Sequence, residues 1–303
     1  MKKIDVVILH YNNLDDTTKY IENLRTLNWA GIPHHFIIVD NASPNGSGQI
    51  LSQLYRDDPE VVVLLSSENL GFAKGNNLGI VYASTHFDSD FIAVSNNDIE
   101  IADKDFFQTL ISLHAEDPFD VCGPDIYSVS KQFHQSPIRT RSLTLQEVED
   151  SVVAMNRKLK QVRLLRDLHL YELLRKVKHL LGRGSGGIVS ADAKSIQYNV
   201  VVHGAFFVLT KTYLNHFPHG LYPETFMYQE EDILAYLCLQ HGLMIRFSPE
   251  LQVLHYDGVS TLKATGNRAN KYIFELTNTI RSSQALITLM KCNGNKGNEY
   301  HEQ

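Results

Sequence analysis

The sequence predicts an α/β protein with a Rossmann-like, mostly parallel central sheet flanked by helices. Three observations carry that expectation. Short runs of β-branched and aromatic residues at 4–9, 36–39, 61–65 and 91–95 suit buried strands. Between them lie segments whose apolar residues recur at helical spacing, so the chain reads as βαβ units with right-handed crossovers. Three of the runs finish in polar tips, Tyr11-Asn12, Asp40-Asn41 and Asn97-Asp98. In a parallel sheet such tips share one edge, the edge where open α/β sheets bind ligands.

Composition narrows the class. At 303 residues the chain has ample length for a large core, in one domain or two. Its 43% hydrophobic and 20% charged residues are ordinary for a globular protein, and a formal net charge of -6 gives no reason to expect nucleic acid as a partner. Cys122, Cys238 and Cys292 stand far apart in no metal-ligand spacing, which points to a reducing compartment without a disulfide framework. The opening MKKIDVVILHYNN is interrupted by Asp5 and followed by polar residues, so it reads as a first strand and not a signal peptide. No stretch approaches the ~18 continuous apolar residues of a membrane span. The expected location is cytoplasmic.

Taken in order, the strand at 4–9 ends in His10-Tyr11-Asn12-Asn13, and Asp15 or Asp16 can cap a helix carrying Tyr20, Ile21, Leu24 and Leu27. The strand at 36–39 runs into the loop at 40–46, and residues 50–55 read as helix. After the strand at 61–65 comes ENLGFAKGNNLGI, residues 68–80, leading into another helix. Gly71, Gly75 and Gly79 are spaced by four, which is not GxGxxG. They give either a smooth helix face for close packing or a phosphate contact. Asn69, Lys74, Asn76 and Asn77 gather donors suited to an anionic or polyhydroxy ligand. The apolar strand of FIAVSNNDIE, residues 91–100, then delivers Asp98 to the sheet edge, where a carboxylate can hold a divalent metal against a phosphate.

Residues 103–114 suggest a helix and 121–125 another strand end. Composition changes after that, with no convincing strand from 128 until near 198. Between 157 and 183 nine Lys/Arg face only Asp167 and Glu172, and Leu170, Leu173, Leu174, Val177, Leu180 and Leu181 fall at helical spacing. This basic amphipathic helix suits either an anionic membrane surface or a packing helix with a solvated face. GRGSGG at 182–187 reads as a flexible link. Residues 199–209 read as one long strand interrupted by His203-Gly204, where a glycine marks a bulge or close ligand approach. Residues 213–219 turn polar and helical. Glu230-Glu231-Asp232 opens a helix with Ile233, Leu234, Leu237 and Leu239; the acids serve the helix dipole, or supply a base with a raised pKa. Two short strands around Ser248-Pro249 fill 244–256, a helix spans 271–290, and residues 291–303 read as a frayed tail.

The order of motifs VVILHYNN, IIVDNAS, ENLGFAKGNNLGI, VSNNDIE, VVHGAFFVL, FMYQEEDILAYLCLQHG and FSPELQVLHYDGVST resembles the family 2 glycosyltransferases of the GT-A fold, of the bacterial polysaccharide type. The resemblance covers residue 4 to about residue 262, apart from roughly 128–195. It implies a nucleotide-sugar-binding half at 1–127, a basic helical insertion at 128–198, an acceptor and catalytic half at 199–262, and a C-terminal helix and tail at 263–303. It also implies transfer of a hexose or deoxyhexose from a nucleoside diphosphate to a glycan or lipid-linked acceptor, with inversion. Tyr11 and Asp40 would hold base and ribose, with Asn12, Asn41 and Asn97 on the same tips. Asn69, Gly71, Lys74 and Asn77 would line the nucleotide pocket, and His203-Gly204 the floor of the sugar site. Asp98 and His255 would hold Mn²⁺ or Mg²⁺, and Glu231 would be the base. The sequence departs from the pattern at Asn96, which replaces the first acid of Asp-x-Asp, and in its run of three acids, where Glu230 or Asp232 stands as an alternative base.

By this mechanism the metal neutralises the leaving diphosphate, and one carboxylate takes the acceptor proton. A glycosidase needs a paired acid and base with room for water. A sugar-nucleotide pyrophosphorylase would carry a glycine-rich basic loop where His10-Tyr11-Asn12-Asn13 stands. A non-catalytic nucleotide-sugar-binding module is the alternative that Asn96 motivates.

Overall fold

A computed structural model of the chain describes residues 2–172, 193–257 and 268–298, with backbone alone for 294–298. The chain divides into two compact units: Met1–Ser142 with Ser190–Phe226 and Glu230–Gly258, and Leu143–Val189 with Met227–Gln229 and Val259–Gln303.

The first unit carries the sheet. Strands β1 (Ile4–His10), β2 (His34–Asp40), β3 (Val61–Leu65) and β4 (Phe91–Asn96) lie in the order β3-β2-β1-β4, all parallel. Register sets His10 beside Asp40 and Leu9 beside Asn96, so the polar tips finish level at one edge, as expected. Helices α1 (Leu14–Arg25), α2 (Ser47–Leu54) and α3 (Gly71–His86) follow the first three strands. Successive side chains leave a strand on opposite faces, and here both faces are covered. Val6 and Ile8 pack with Tyr20, Ile21 and Leu24 of α1 and with Phe106 and Phe107 of α4 (Phe106–Glu116). Val7, between them, packs with Ile80 and Ala83 of α3 on the other side. This double burial is why the strands read as continuous apolar runs.

Past β4 the sheet reverses. The further strands are β5 (Ile99–Glu100), β6 (Val121–Ser128), β7 (Phe133–His134), β8 (Gln197–Tyr198), β9 (Phe206–Thr210) and β10 (Ile245–His255). β9 lies antiparallel between β4 and β6, β10 runs parallel to β6, and β5 closes the path antiparallel to β10. Helices α6 (Lys211–His216) and α7 (Glu230–Gln240) complete this unit, Leu214 and Leu234 joining the core of the α3 side.

In the second unit α5 (Leu145–Asp167) begins at a capping box: the Thr144 hydroxyl accepts from the Glu147 N–H, and the Glu147 carboxylate accepts from the Thr144 N–H. Its Leu159 and Val162 pack on Leu276 and Ile280 of α8 (Arg268–Asn298), and Lys291 pairs with Glu149 at 2.7 Å. No helix among the described residues is long and apolar enough to cross a membrane.

Several elements differ from the sequence reading. Residues 199–209 are not one strand: Val201 forms a single bridge to Arg139, and the backbone turns at Gly204-Ala205 before β9. Residues 245–255 form one strand, not two, because the register shift between Ser248 and Gln252 is absorbed as an irregularity against β6. The final helix extends beyond 271–290 in both directions, so 291–298 are helical and not frayed; 299–303 lie outside the described residues. The helix expected at 157–183 starts at Leu145 and ends at Asp167, followed by His169 at a φ of 57°. The expected positions Leu173, Leu174, Val177, Leu180 and Leu181, and the link at 182–187, lie outside the described residues.

Candidate active site

The glycines of α3 are accounted for by packing. A Cβ on Gly75 would stand 2.8 Å from Leu9 Cδ1, and one on Gly79 would overlap Val7, so helix and sheet approach closely only because both lack one. Gly71 has a φ of 77°, and its Cα faces the Phe226 carbonyl, which accepts from the Phe72 N–H at 2.7 Å. A side chain there would be strained and would strike that carbonyl.

At the strand tips Asn41 ties the loop before α3 in place. Its side-chain amide donates to Asn69 Oδ1 (3.1 Å) and to the Gly71 carbonyl (2.9 Å), and its oxygen accepts from the Leu70 N–H (2.8 Å). Asp40 is buried and accepts from the Ser43 N–H at 3.2 Å, with Gly48 closed over it, so its carboxylate is committed to the turn. Asn12, at a φ of 65°, donates its N–H to the Ser43 hydroxyl at 2.8 Å and has a buried Oδ1 with no partner. Tyr11 is half-buried and Lys74 exposed. Beneath them His10 bonds the hydroxyls of Thr17 and Ser47 at 2.7 Å each, and burial pushes its pKa down to about 4, so it stays neutral. Asn77 stands apart from this group: its side chain donates to the Leu221 carbonyl and accepts from the Leu221 N–H, both at 2.7 Å. Asn76 is fully buried and bonds the Phe72 carbonyl.

Asp98 lies 3.3 Å from His255 Nε2, through its Oδ1. The Gln135 side-chain N–H donates to Asp257 at 3.1 Å, which turns the Gln135 oxygen towards His255 Nδ1 at 2.8 Å. Nδ1 therefore carries an N–H, and Nε2 is the ring nitrogen that faces the Asp98 carboxylate. Two electron-rich donors at that separation call for a proton or a cation between them. One carboxylate and one imidazole with a hydrogen-bonded second nitrogen is a donor set that fits a divalent ion also held by phosphate oxygens. Among the described residues no group of three or more His, Cys, Asp or Glu is arranged to hold a metal. Asp257 also receives the hydroxyls of Ser128 and Ser130 and the Lys131 ammonium, which hold its pKa well below the usual carboxylate range.

The three acids at the start of α7 have separate environments. Asp232 is buried in an ion pair with Arg139. Glu230 is buried with one oxygen unpartnered, and burial together with the Glu231 charge raises its pKa to about 8, so it is protonated at neutrality. Glu231 accepts from the Gly204 N–H at 3.2 Å, and burial raises its pKa as well. One residue further on, the Ala205 carbonyl accepts from the Asn96 N–H at 2.8 Å, at the end of the strand that delivers Asp98. His203 lies with its ring 6.0 Å from that of His255; burial and that neighbour push its pKa down to about 4. The 203–205 turn therefore stands between Glu231 and the Asp98–His255 pair.

A cleft of about 440 Å³ opens beside Asp98, lined by Asp16, Lys19, Tyr20, Asn23, Asn97, Glu100 and Tyr256 with Ile99. Asn97 is held there by the Thr17 hydroxyl at 2.9 Å, and burial and the Asp98 charge raise the Asp16 pKa. Apart from Asn97 and Asp98, sequence reasoning missed these residues. The spacing 16, 19, 20 and 23 places them on one face of α1, but in the sequence Tyr20 reads as core and the acid as a cap.

The fold is of the GT-A type, shared with solved structures of S. aureus TarS. Residues 1–349 of that protein superpose with a TM-score of 0.51 at 13% identity, covering 84% of this chain and 60% of that one. For the structures in complex with UDP and with UDP-GlcNAc the TM-scores are 0.52 and 0.53, again at 13% identity, covering 93% and 84% of this chain and 65% and 59% of those. The profile described as Glycosyl transferase family 2 matches residues 5–180, more than half of the sequence, and the chain belongs to that family. Among curated relatives it is 28% identical over 123 residues to the "Low-salt glycan biosynthesis hexosyltransferase Agl10" of Haloferax volcanii, covering 41% of this chain and 36% of that protein. It is 30% identical over 125 residues to the "Uncharacterized glycosyltransferase YibD" of Escherichia coli, covering 41% and 34%. The aligned part thus spans about a third of the length of each relative.

Proposed function

We propose that the protein is a cytoplasmic glycosyltransferase moving a hexosyl or deoxyhexosyl group from a nucleoside diphosphate to a hydroxyl of a glycan or lipid-linked acceptor, with inversion. The observation that carries this reading is the 203–205 turn, bonded through Gly204 to Glu231 and through Ala205 to the strand end that presents Asp98. The TarS complexes with UDP and UDP-GlcNAc make uridine diphosphate sugars the first donors to try. In this reading residues 1–127 bind the nucleotide sugar, 199–262 supply the base and acceptor side, and 128–198 and 263–303 are additions to that core.

Glu231 is the base. Asp232 is paired with Arg139 and Glu230 is buried with its pKa raised to about 8, while Glu231 is the acid bonded to the Gly204 N–H of the turn, and the role is assigned to it on that contact. In the step, the acceptor oxygen bonds to the anomeric carbon, the bond from that carbon to the diphosphate breaks, and the acceptor proton passes to Glu231. The Gly204 N–H holds the carboxylate in place. Asp98 and His255 would hold Mn²⁺ or Mg²⁺, which when bound supplies Lewis-acid stabilisation of the leaving diphosphate. The strand tips at Tyr11, Asn12, Asp40 and Asn41 form the nucleotide end of the site, with Asn69 and Lys74 beside them.

Release of nucleoside diphosphate from a donor panel, with and without metal, tests the reading. Glu231→Gln should keep donor binding and lose at least about a hundredfold in turnover. Unchanged turnover removes Glu231 from the role. Asn96 in place of an acid favours a second reading, a non-catalytic sugar-nucleotide-binding module. Donor binding without any release under all conditions is its signature.

A further inference from the structure

The side of α5 turned away from α8 is not the polar surface that a solvent-facing helix ordinarily carries. Leu159 and Val162 make the packed side. At about 100° per residue, Val162 lies about 180° from Val153. Positions 153, 157, 160, 164 and 168 form a stripe along this outer side, at intervals of four, three, four and four. Its apolar members are strongly exposed: Val153 at 50%, Leu164 at 59% and Leu168 at 55%, with Leu170 beyond them at 40%. Its other members, Arg157 and Lys160, are exposed cations, and Arg163 flanks them. From 157 to 167 five Lys/Arg accompany a single acid, Asp167, in a chain whose formal net charge is -6.

Exposed aliphatic side chains on either side of two cations exclude several occupants. Phosphate backbones of nucleic acid reward the cations and not the leucines. A second copy of the helix would set Arg157 against Lys160 when antiparallel and against itself when parallel, a like-charge contact at the centre of the pairing. A surface that is both apolar and anionic satisfies every member of the stripe. Aliphatic residues enter the boundary of headgroups and acyl chains while long basic side chains reach the phosphates.

We propose that the outer stripe of α5 is a docking face for an anionic lipid bilayer, with Val153, Leu164 and Leu168 inserted and Arg157, Lys160 and Arg163 against the headgroup phosphates. It does not rest on glycosyl transfer, since binding is read without donor or acceptor. The test is co-sedimentation of the full chain with vesicles of phosphatidylcholine alone and of phosphatidylcholine with about a third phosphatidylglycerol. Binding to the second and not the first, weakening as salt rises, is expected. Arg157→Gln with Lys160→Gln should cut the partition coefficient roughly 25-fold, about fivefold per cation. Leu164→Ser with Leu168→Ser should cut it by at least about tenfold at unchanged charge. All four positions are exposed, and circular dichroism confirms that the variants stay folded. Equal binding by parent and both double variants overturns the proposal. So does the absence of vesicle binding accompanied by self-association that Leu164→Ser/Leu168→Ser abolishes, which would make a second copy the occupant.

Discussion

Glu230 couples the stability of the fold to pH. Its carboxyl is buried at the start of α7, one oxygen has no partner, and the neighbouring Glu231 charge adds to the cost of ionising it. The pKa rises from 4.5 to about 8 on folding. A raised folded-state value means that the native protein holds a proton that the unfolded chain has released. The associated stability is fully present below about pH 4.5 and is lost as pH rises towards 8. At about 1.4 kcal/mol per unit, the loss is about 3–5 kcal/mol, the lower figure allowing water to follow the ionised group. Glu230→Gln keeps shape and removes the ionisation. Urea unfolding of parent and variant at a series of values from about pH 5 to about pH 9 isolates the difference, because titrations other than that of the adjoining Glu231 are common to both. The two should be similar at the acid end, with the variant progressively more stable towards the alkaline end. Profiles that stay parallel across the whole range would show that Glu230 is charged in the folded protein and would refute the reasoning.

Other expectations follow from the same geometry. Gly79→Ala forces a methyl into Val7 and Val39 and should cost about 1–3 kcal/mol by thermal or urea unfolding. Asn77→Ala leaves both backbone groups of Leu221 without their partner and should destabilise by about 1–3 kcal/mol while leaving donor Kd unchanged by calorimetry. A large rise in Kd would instead put Asn77 in the nucleotide pocket. Asp98→Asn should abolish the response of turnover to added Mn²⁺ or Mg²⁺. Wild-type turnover that persists in EDTA would remove Asp98 from a metal role.

The parallel half of the sheet was legible because its strands are buried on both faces and so announce themselves as uninterrupted apolar runs. The same logic placed Asp98, since the strand before it has one way to lie. Gly75 and Gly79 were readable as a packing surface, one of the two meanings that glycines at a spacing of four allow. Orientation was not readable: β9 is as apolar as β4, and nothing in side-chain period says that it runs the other way. The roles of Asp232 and Asn77 were hidden for a related reason. Their partners, Arg139 and Leu221, lie 93 and 144 residues away, where no local pattern reaches. The start of α5 was different, because Thr144 and Glu147 carry a local capping signature that the basic residues further on overshadowed. The Asp16–Asn23 face was hidden by the double duty of α1, whose Tyr20 touches both core and cleft.

The reversal of direction at β4 makes the proposed reaction centre a seam between chain segments made at different times. Asn96 and Ala205 are joined edge to edge by one main-chain bond, while everything from β5 to β8 loops out and returns between them. Gln135 and Arg139, at the start of the stretch between β7 and β8, bond His255 and Asp232, so only the part of that stretch beyond them can be lengthened, shortened or exchanged without touching those bonds. A nascent chain, for its part, lacks the proposed base until Glu231 is made and the partner of Asp98 until His255 ends β10. Fragments that stop before residue 206 should therefore contain most of the nucleotide end and yet be inert.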